Sequence, residues 1–542
     1  EKFPLIFNSG SRVTTDFRTQ HHGIPGLSKE RPEPTVTLNT LDAETRGIKS
    51  GDLVDIITKR GKVTMCALVT DDIVKGAIDA NMGGGGPVGP EKWQNCNINE
   101  LTDLQRYDPI SGFPVYKTLL CEVVKVTERE KMLSVDSGEY RDTAGMIDTG
   151  SGSQHVEKRI YLDHNATTPL DPEVKQIMLR FAESGHGNPS SIYTEGKDAR
   201  FAVEAARRSV AQLLNCTARR ITFTGSGSEA NNLAIKGVAF ANWNSKNHII
   251  TTSIEHPSVI DTCRWLERHG FAVTYLEIDK TKKLNPEELK SAITEKTCLV
   301  SVMMANNETG SINPIVDLVR IAKERNVLFH SDCVQAIGKI SIDVEALGVD
   351  LLTMSGHKLY GPKGVGALYI RKGVVLEPLV SGGKQENGMR AGTENVLGIV
   401  GLGKAAELAV QRIHEMDRIK RMRDKLEKGI RELMADATLN GDPEALLPNT
   451  LNMTLPGIRG ESVVLALDQK GVSLSSGSAC RAGSPKPSHA LLAMGLSEEE
   501  AHCALRFSLG LGNTMEEIDR TIDLLGEVIR DKKTMVRFIP CR

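Results

Sequence analysis

Between Ile221 and Met354 the chain repeats one unit, a short apolar run followed in most cases by a stretch of helix length. The runs are Ile221–Thr224, His248–Thr252, Leu299–Met304, Val327–His330 and Leu351–Met354. Runs that stay apolar instead of alternating are buried on both faces, and strands joined through helices can lie parallel, which hairpins do not allow. The pattern predicts a largely parallel sheet covered by helices on both sides. Asp198–Leu214 carries Val203, Ala206, Val210, Leu213 and Leu214 at helical spacing. Near the end, Thr514 and Glu517 form a capping pair, and Ile518, Ile522, Leu525 and Ile529 give the helix behind them a buried stripe.

A different pattern comes first. Leu53–Thr58 and Lys62–Thr70 are β-rich runs with Lys59-Arg60-Gly61 as a hairpin cue, and no helix of convincing length accompanies them. A small β-barrel or sandwich is expected there. The stretch Ser134–Lys158, rich in Ser, Gly, Asp and Thr, lacks apolar periodicity and reads as a flexible linker. At 542 residues the chain exceeds a single core, and roughly two to four folding units are expected.

Composition excludes several classes of function. The formal net charge of −2 gives no electrostatic case for nucleic acid or an acidic membrane as partner. No run of about 18 apolar residues is present to span a bilayer. Glu1-Lys2-Phe3-Pro4-Leu5-Ile6 lacks the basic and apolar regions of a signal peptide, and the absence of a starting Met leads to the expectation that residues upstream are missing. Cysteines at 66, 96, 121, 216, 263, 298, 333, 480, 503 and 541 include no C-x-x-C, so no metal site is expected from this chain alone. They read as reduced thiols of a cytoplasmic protein, most of them small buried hydrophobes. Cys541, in the tail Phe538–Arg542, reads as part of a loose exposed end.

Three segments carry chemistry. Asp350–Gly366 runs from a strand through Ser355-Gly356-His357-Lys358 into a glycine-rich turn. A strand-end lysine beside a hydroxyl and an imidazole suits an amine that holds an aldehyde cofactor, with Ser355 and His357 in reach of its phosphate. Alone, Gly-His-Lys more often marks a surface lysine. In Ile221–Ala230 a strand feeds Gly225-Ser226-Gly227-Ser228 and opens a helix, which offers free N–H groups and a positive helix end to phosphate. It matches neither G-x-G-x-x-G nor a Walker loop, so a nucleotide has little support. Asp332 ends the run Val327–Asp332, where a carboxylate keeps a pyridine nitrogen protonated and makes the ring an electron sink. Gln335, three residues on, is placed to donate to a phenolic oxygen.

These segments resemble the class V aminotransferase superfamily and, within it, the cysteine desulfurases that serve nitrogenase and general iron–sulfur assembly. The resemblance runs from Ile160-Tyr161-Leu162-Asp163-His164-Asn165-Ala166-Thr167-Thr168-Pro169 to the last helix. It passes through Gly187-Asn188-Pro189-Ser190-Ser191, Asn306-Asn307-Glu308-Thr309-Gly310 and Gly388-Met389-Arg390-Ala391-Gly392-Thr393. It implies an α/β fold of the aspartate-aminotransferase type (fold type I) with a small C-terminal α+β lobe. The implied boundaries are a desulfurase over 159–531, its large domain about 172–415 and its lobe from 159–171 and 416–531, with a tail at 532–542.

The implied cofactor is pyridoxal phosphate and the implied substrate L-cysteine. Lys358 would hold the cofactor covalently and move the substrate's α-proton. Asp332 would pair with the ring nitrogen, with Asn307 and Gln335 on the phenolic side. His256 would stack on the ring and assist proton transfers; standing alone it is more often a structural histidine. Gly227, Ser228, Ser355 and His357 would bind the phosphate, and Thr393 the phosphate of a neighbouring subunit, which implies a homodimer.

The segment Leu474–Pro487 places the lone thiol Cys480 among Gly, Ser and Pro, a composition for an exposed mobile loop. A thiolate that takes sulfur from bound cysteine and carries it out as a persulfide needs such a loop. In the family, Ser475-Ser476-Gly477-Ser478-Ala479-Cys480 resembles the long-loop group, whose sulfur goes to acceptor proteins, and Cys480 is open as a ligand of a transient iron–sulfur cluster. Arg481 departs from the Ser or Thr common there. Arg506 matches the family's substrate-carboxylate arginine, since a guanidinium grips a carboxylate at two points. A selenocysteine lyase or a transaminase on the same cofactor is an alternative, as is a cofactor-binding chaperone without activity.

Residues 3–125 resemble the C-terminal dinucleotide-binding domain of molybdopterin oxidoreductases such as formate dehydrogenases. The matching blocks are Phe3–Arg12, Gly47–Asp52, Lys59-Arg60-Gly61, Asn99–Thr102 and Asp108–Lys117. That resemblance implies a six-stranded double-psi β-barrel over 1–126, with 127–158 as linker. The catalytic parts of a molybdenum enzyme are not recognisable. Three roles stay open for the module: holding molybdopterin guanine dinucleotide through Ser9, Arg12 and Asn99, docking on accessory proteins, or structure alone. The fusion itself suggests sulfur supply to a molybdenum or tungsten enzyme.

Overall fold

The computed structural model describes residues 5–11, 35–57, 62–81, 117–125, 159–278, 284–476 and 487–531. The chain divides into two compact units, Glu1–Ser153 and Gln154–Arg542.

The first unit is a closed barrel built from β1 (Leu5–Ser11), β2 (Thr35–Asn39), β3 (Leu53–Ile57), β4 (Lys62–Thr70), β5 (Ala77–Asn81) and β6 (Lys117–Lys125). The spatial order is β1-β5-β2-β4-β3-β6, and β1 pairs with β6 to close it. Pairing is mixed: β1 with β5 and β2 with β4 are parallel, and the others antiparallel. Val36, Leu38, Val54, Ile56, Met65, Ile78 and Val123 alternate inward and fill it. The hairpin expected at Lys59-Arg60-Gly61 is bracketed by the pair Ile57↔Lys62. Closure settles the choice between barrel and sandwich.

In the second unit a seven-stranded sheet has the order β10-β9-β11-β12-β13-β14-β8. The strands are β8 (Ile221–Thr224), β9 (His248–Thr252), β10 (Ala272–Leu276), β11 (Thr297–Ser301), β12 (Leu328–Asp332), β13 (Leu351–Ser355) and β14 (Gly366–Ile370). Neighbours from β10 to β13 pair parallel, and β14 runs antiparallel between β13 and β8. Successive side chains point to opposite faces. Ile249, Leu299, Leu351 and Leu368 enter one core, under the helices Gly227–Ala241 and Pro257–Glu267. Ile250, Val300, Leu352 and Ala367 enter the other, under Thr194–Leu213, Ile315–Glu324 and Val396–Arg412. Burial on both sides is why these strands read as unbroken apolar runs.

The sequence missed two strands and shifted one. β10 lies at the edge with half-exposed side chains, so its apolar signal is weak, and β14 follows the glycine-rich turn that masks it. The run Leu299–Met304 continues past the end of β11 because Val302, Met303 and Met304 stay buried there, with the N–H groups of Val302 and Met304 still donating to His330 O and Asp332 O of β12.

A further core joins Ile160 and Leu162 to Ile419, Leu426, Leu451, Val463, Phe507, Ile518 and Leu525. Its strands are β7 (Ile160–Tyr161), β15 (Thr438–Leu439), β16 (Thr450–Thr454), β17 (Val472–Ser473) and β18 (Ala504–Ser508), in the order β15-β16-β18, with β17 and β7 paired separately. The capping box of Thr514 and Glu517 forms as expected and starts the helix Met515–Arg530.

Candidate active site

A cleft of about 210 Å³ opens at the carboxyl edge of the sheet, where strand ends and helix starts bring polar groups together. Gly227 and Ser228 begin the helix after β8; His256 follows β9, Asp332 ends β12, and Ser355, His357 and Lys358 follow from β13. Asn307 and Gln335 also line it, as does Arg506 from β18. The cleft thus gathers most of the residues singled out in the sequence. Thr393 is exposed and outside that lining. Cys480 and Arg481 lie outside the described residues, as do Arg12 and Asn99. For Ser9 only the backbone, in β1, is described.

Lys358 sits in a short 3-10 turn, and its Nζ donates to Asn165 O at 2.5 Å and Ala166 O at 2.6 Å. Asp332 is held from two sides, by Asn231 Nδ2 at 2.7 Å and the Val334 N–H at 2.9 Å. His256 caps the helix Pro257–Glu267, its Nδ1 accepting from the Ser258 N–H at 3.1 Å. That bond leaves the ring proton on Nε2. Burial, aided by Lys358 and His489 and opposed by Asp332, lowers the His256 pKa. His357 contacts Thr167 Oγ1 at 3.2 Å, and burial with Lys358 and Lys363 nearby pushes its pKa down to about 4. Both imidazoles are therefore neutral near pH 7.

Arg506 is 1% exposed. Its Nη2 donates to Asp163 Oδ1 at 2.6 Å and its Nη1 to Asn307 O at 3.2 Å. Its Nε is buried without a partner among the described residues.

Several residues here carried no sequence signal. Asn165 links both lobes: its carbonyl accepts from Lys358 and from Gln335 Nε2, and its side chain bonds Asn307 O, Thr450 Oγ1, Lys339 Nζ and Asn449 Nδ2. Glu255 is fully buried, with Oε1 accepting from Thr252 Oγ1 and the Met303 N–H, and Oε2 unpartnered. Burial pushes its pKa up to about 8. Asn, Glu and Lys in a loop give no pattern by which sequence alone could pick them out.

These residues fit pyridoxal phosphate. Asp332 presents a fixed carboxylate to the cleft. The helix start at Gly227 and Ser228 offers N–H groups without intrahelical partners, since Ser226 Oγ takes the N–H of Glu229 at 3.1 Å. A Cβ at Gly227 would sit 3.0 Å from Val334 Cγ2 and 3.2 Å from the Ser355 Cβ, so glycine keeps this corner open.

A lysine, a strand-end carboxylate and a helix start around one cleft at the edge of a mostly parallel sheet define an aminotransferase-type fold. Residues 160–521 match the Aminotransferase class-V family, and the chain belongs to that family, for which pyridoxal phosphate is the expected cofactor. Within it, the chain is a cysteine desulfurase. It is similar to Cysteine desulfurase IscS of Methanosarcina thermophila, 49% identical over 392 residues that cover 72% of this chain and 97% of that protein. Among solved structures it is similar to a NifS-like protein, with 41% identity and a TM-score of 0.65, covering 68% of this chain and 99% of that one. It also resembles SspA in complex with cysteine, with 38% identity and a TM-score of 0.58, covering 65% of this chain and 98% of that one. Residues 5–120 match the Molydopterin dinucleotide binding domain. No helix among the described residues is long and apolar enough to cross a membrane, and none of their His, Cys, Asp and Glu residues group to hold a metal.

Proposed function

We propose that the enzyme converts L-cysteine to L-alanine and leaves the sulfur as a persulfide on Cys480. The observation that carries this reading is where the segment bearing Cys480 is anchored. On one side, Ser475 and Arg506 exchange backbone hydrogen bonds at 3.2 and 2.7 Å. On the other, Ser488 Oγ donates to Glu308 Oε2 at 2.6 Å, and His489 Nε2 contacts Glu255 O at 2.9 Å. Arg506 lines the cleft, and Glu308 and Glu255 directly adjoin the lining residues Asn307 and His256 in the chain. Cys480 stands four positions after Ser476 and is the one thiol this segment carries.

Bound pyridoxal phosphate supplies an electron sink for the charge left at the substrate's α-carbon. Asp332 would hold the ring nitrogen, Gly227, Ser228, Ser355 and His357 the phosphate, and Gln335 and Asn307 the phenolic side. Arg506 takes the substrate carboxylate and so fixes which α-carbon bond is broken. Lys358 Nζ would take the α-proton and return a proton to carbon, with His256 in the same cleft as its helper. The Cys480 thiolate attacks the substrate sulfur, the carbon–sulfur bond breaks, a sulfur–sulfur bond forms, and alanine leaves. A Cys480→Ala variant tests this: it should bind cofactor and cysteine but release no alanine. Alanine release at the wild-type rate would refute the persulfide step and leave a selenocysteine-lyase-type reading, in which the carbon–sulfur bond breaks without Cys480.

Thr393, exposed beside the glycine-rich turn, is assigned to the neighbouring subunit's phosphate in a homodimer. The free thiols of Cys216, Cys263, Cys298, Cys333 and Cys503 suit a cytoplasmic enzyme. The sulfur goes to acceptor proteins of iron–sulfur assembly and, because residues 5–120 match a molybdopterin-binding domain, to maturation of a molybdoenzyme such as a formate dehydrogenase. Comparing the full chain with a 127–542 form on L-cysteine separates the two destinations. Equal alanine with impaired delivery to an apo-formate-dehydrogenase system supports the molybdoenzyme role. Equal delivery removes it and leaves iron–sulfur assembly.

A further inference from the structure

Lys339 is a buried lysine that the reaction above does not use. Its Nζ donates to Gln335 Oε1 at 2.7 Å and to Asn165 Oδ1 at 3.0 Å. Both acceptors are neutral amide oxygens. A neutral amine has two N–H hydrogens, and these bonds use both; an ammonium would bury a third proton without an acceptor. The titratable groups facing Lys339 are Lys358, Arg506, His164 and Tyr360, none of them an anion near pH 7. Burial and the nearby Lys358 and Arg506 hold its pKa well below the usual lysine range.

The consequence falls on two amides. With Oε1 of Gln335 taken by Lys339, its Nε2 is turned to Asn165 O at 3.0 Å and keeps a second N–H for the cleft that Gln335 lines. A flipped amide would set Oε1 against the Asn165 carbonyl oxygen, two acceptors with no proton between them. Asn165 is fixed in the same way, its Oδ1 accepting from Lys339 and from Asn449 Nδ2 at 3.1 Å. Its Nδ2 must then face Asn307 O at 3.2 Å and Thr450 Oγ1 at 2.9 Å. The backbone carbonyl of this same Asn165 receives Lys358 Nζ.

We propose that Lys339 is a positioning residue, whose two donated hydrogen bonds aim an N–H of Gln335 at the phenolic side of the cofactor and lock the Asn165 that holds Lys358. This inference rests on the reading of the cleft as a pyridoxal phosphate site. Full-length protein reconstituted with pyridoxal phosphate is titrated with pH while its visible absorption band is recorded, for the wild type, Lys339→Met, Gln335→Ala and the double variant. Lys339→Met should move the midpoint by about one pH unit, the scale of one lost buried hydrogen bond, and in the direction Gln335→Ala moves it. The double variant should move no further than Gln335→Ala, because the two act as one unit. An unmoved midpoint in Lys339→Met, or additive shifts in the double variant, overturns the proposal. If Lys339→Met does not fold, Lys339→Ser, which leaves space instead of bulk, is judged by the same outcomes. A wild-type protein without any visible band refutes the cofactor reading itself.

Discussion

Arg506 and Asp163, 343 positions apart, meet through an Nη2–Oδ1 hydrogen bond of 2.6 Å at the floor of the cleft. The pair holds the guanidinium in place, while Nε stays unpartnered. Lysine carries the same charge but no planar fork. Arg506→Lys is therefore expected to raise KM for L-cysteine by roughly 10- to 100-fold, the worth of a charged hydrogen bond. Steady-state alanine release measures it, and an unchanged KM would take Arg506 out of substrate binding.

Lys358 sits between two backbone carbonyls, and among the described residues the other lysine beside it, Lys339, is committed to amide oxygens. Lys358→Ala should lower alanine release by about 10³-fold or more, as expected when a proton-transfer group is lost. The variant should melt within about 3 °C of the cofactor-free wild type, because the side chain is only part-buried. Residual turnover within tenfold of wild type would mean another base acts.

Glu255 and His330 should give stability slopes of opposite sign with pH. The Glu255 carboxyl, with a folded pKa of about 8 against 4.5, keeps its proton in the fold and loses it in the unfolded chain. Its contribution is present below pH 4.5 and is lost as pH rises through 8. His330, between Ser301 Oγ at 2.9 Å and Thr353 Oγ1 at 3.0 Å, has a folded pKa of about 3 against 6.5. Its contribution is present above pH 6.5 and is lost as pH falls toward 3. Glu255→Gln should raise the melting temperature relative to wild type by at least about 3 °C more at pH 8.5 than at pH 5. A pH-independent difference would show that Glu255 is ionised in the fold.

Glu386 and Asn387 hold left-handed backbone at φ of 48° and 56°. A buried fork keeps them there: Arg207 Nη1 and Nη2 donate to the Glu386 carboxylate at 2.6 and 2.8 Å, and the Phe223 N–H adds a third bond at 2.8 Å. Arg207→Met strands that carboxylate and should cost about 3–5 kcal/mol. Asn387→Gly should be neutral or stabilising by about 0.5 kcal/mol, and Asn387→Val destabilising by about 1–2 kcal/mol. Equal effects of Gly and Val in denaturation curves would argue that the backbone there is not strained.

Much of this was legible in the sequence. Strand-end Asp332 and Lys358, the helix start at Gly227 and the capping pair of Thr514 and Glu517 follow from local rules, and the structure places them accordingly. What stayed hidden depends on long-range closure. Asn165 matters because of Thr450, Asn449 and Lys339, residues from three distant segments. Glu255 and Lys339 look like ordinary surface charges in the sequence; only burial, decided by the packed lobes, pushes the pKa of the acid up and that of the amine down. Cys66 and Cys216 proved half-exposed, while Cys121, Cys263, Cys298, Cys333 and Cys503 are buried, as small apolar residues are.

The two-residue strand β7, Ile160–Tyr161, takes its partner from Val472–Ser473. A growing chain that emerges from the ribosome can complete the barrel once Lys125 is out and the seven-stranded sheet once Ile370 is out. The segment that carries Asp163 and Asn165 must then wait, unpaired, until more than three hundred further residues have been made. Long-range pairings of this kind form late. The order of synthesis thus makes desulfuration the last property the nascent protein acquires: a truncated chain can own a finished sheet and cofactor lysine and still lack the floor of its site.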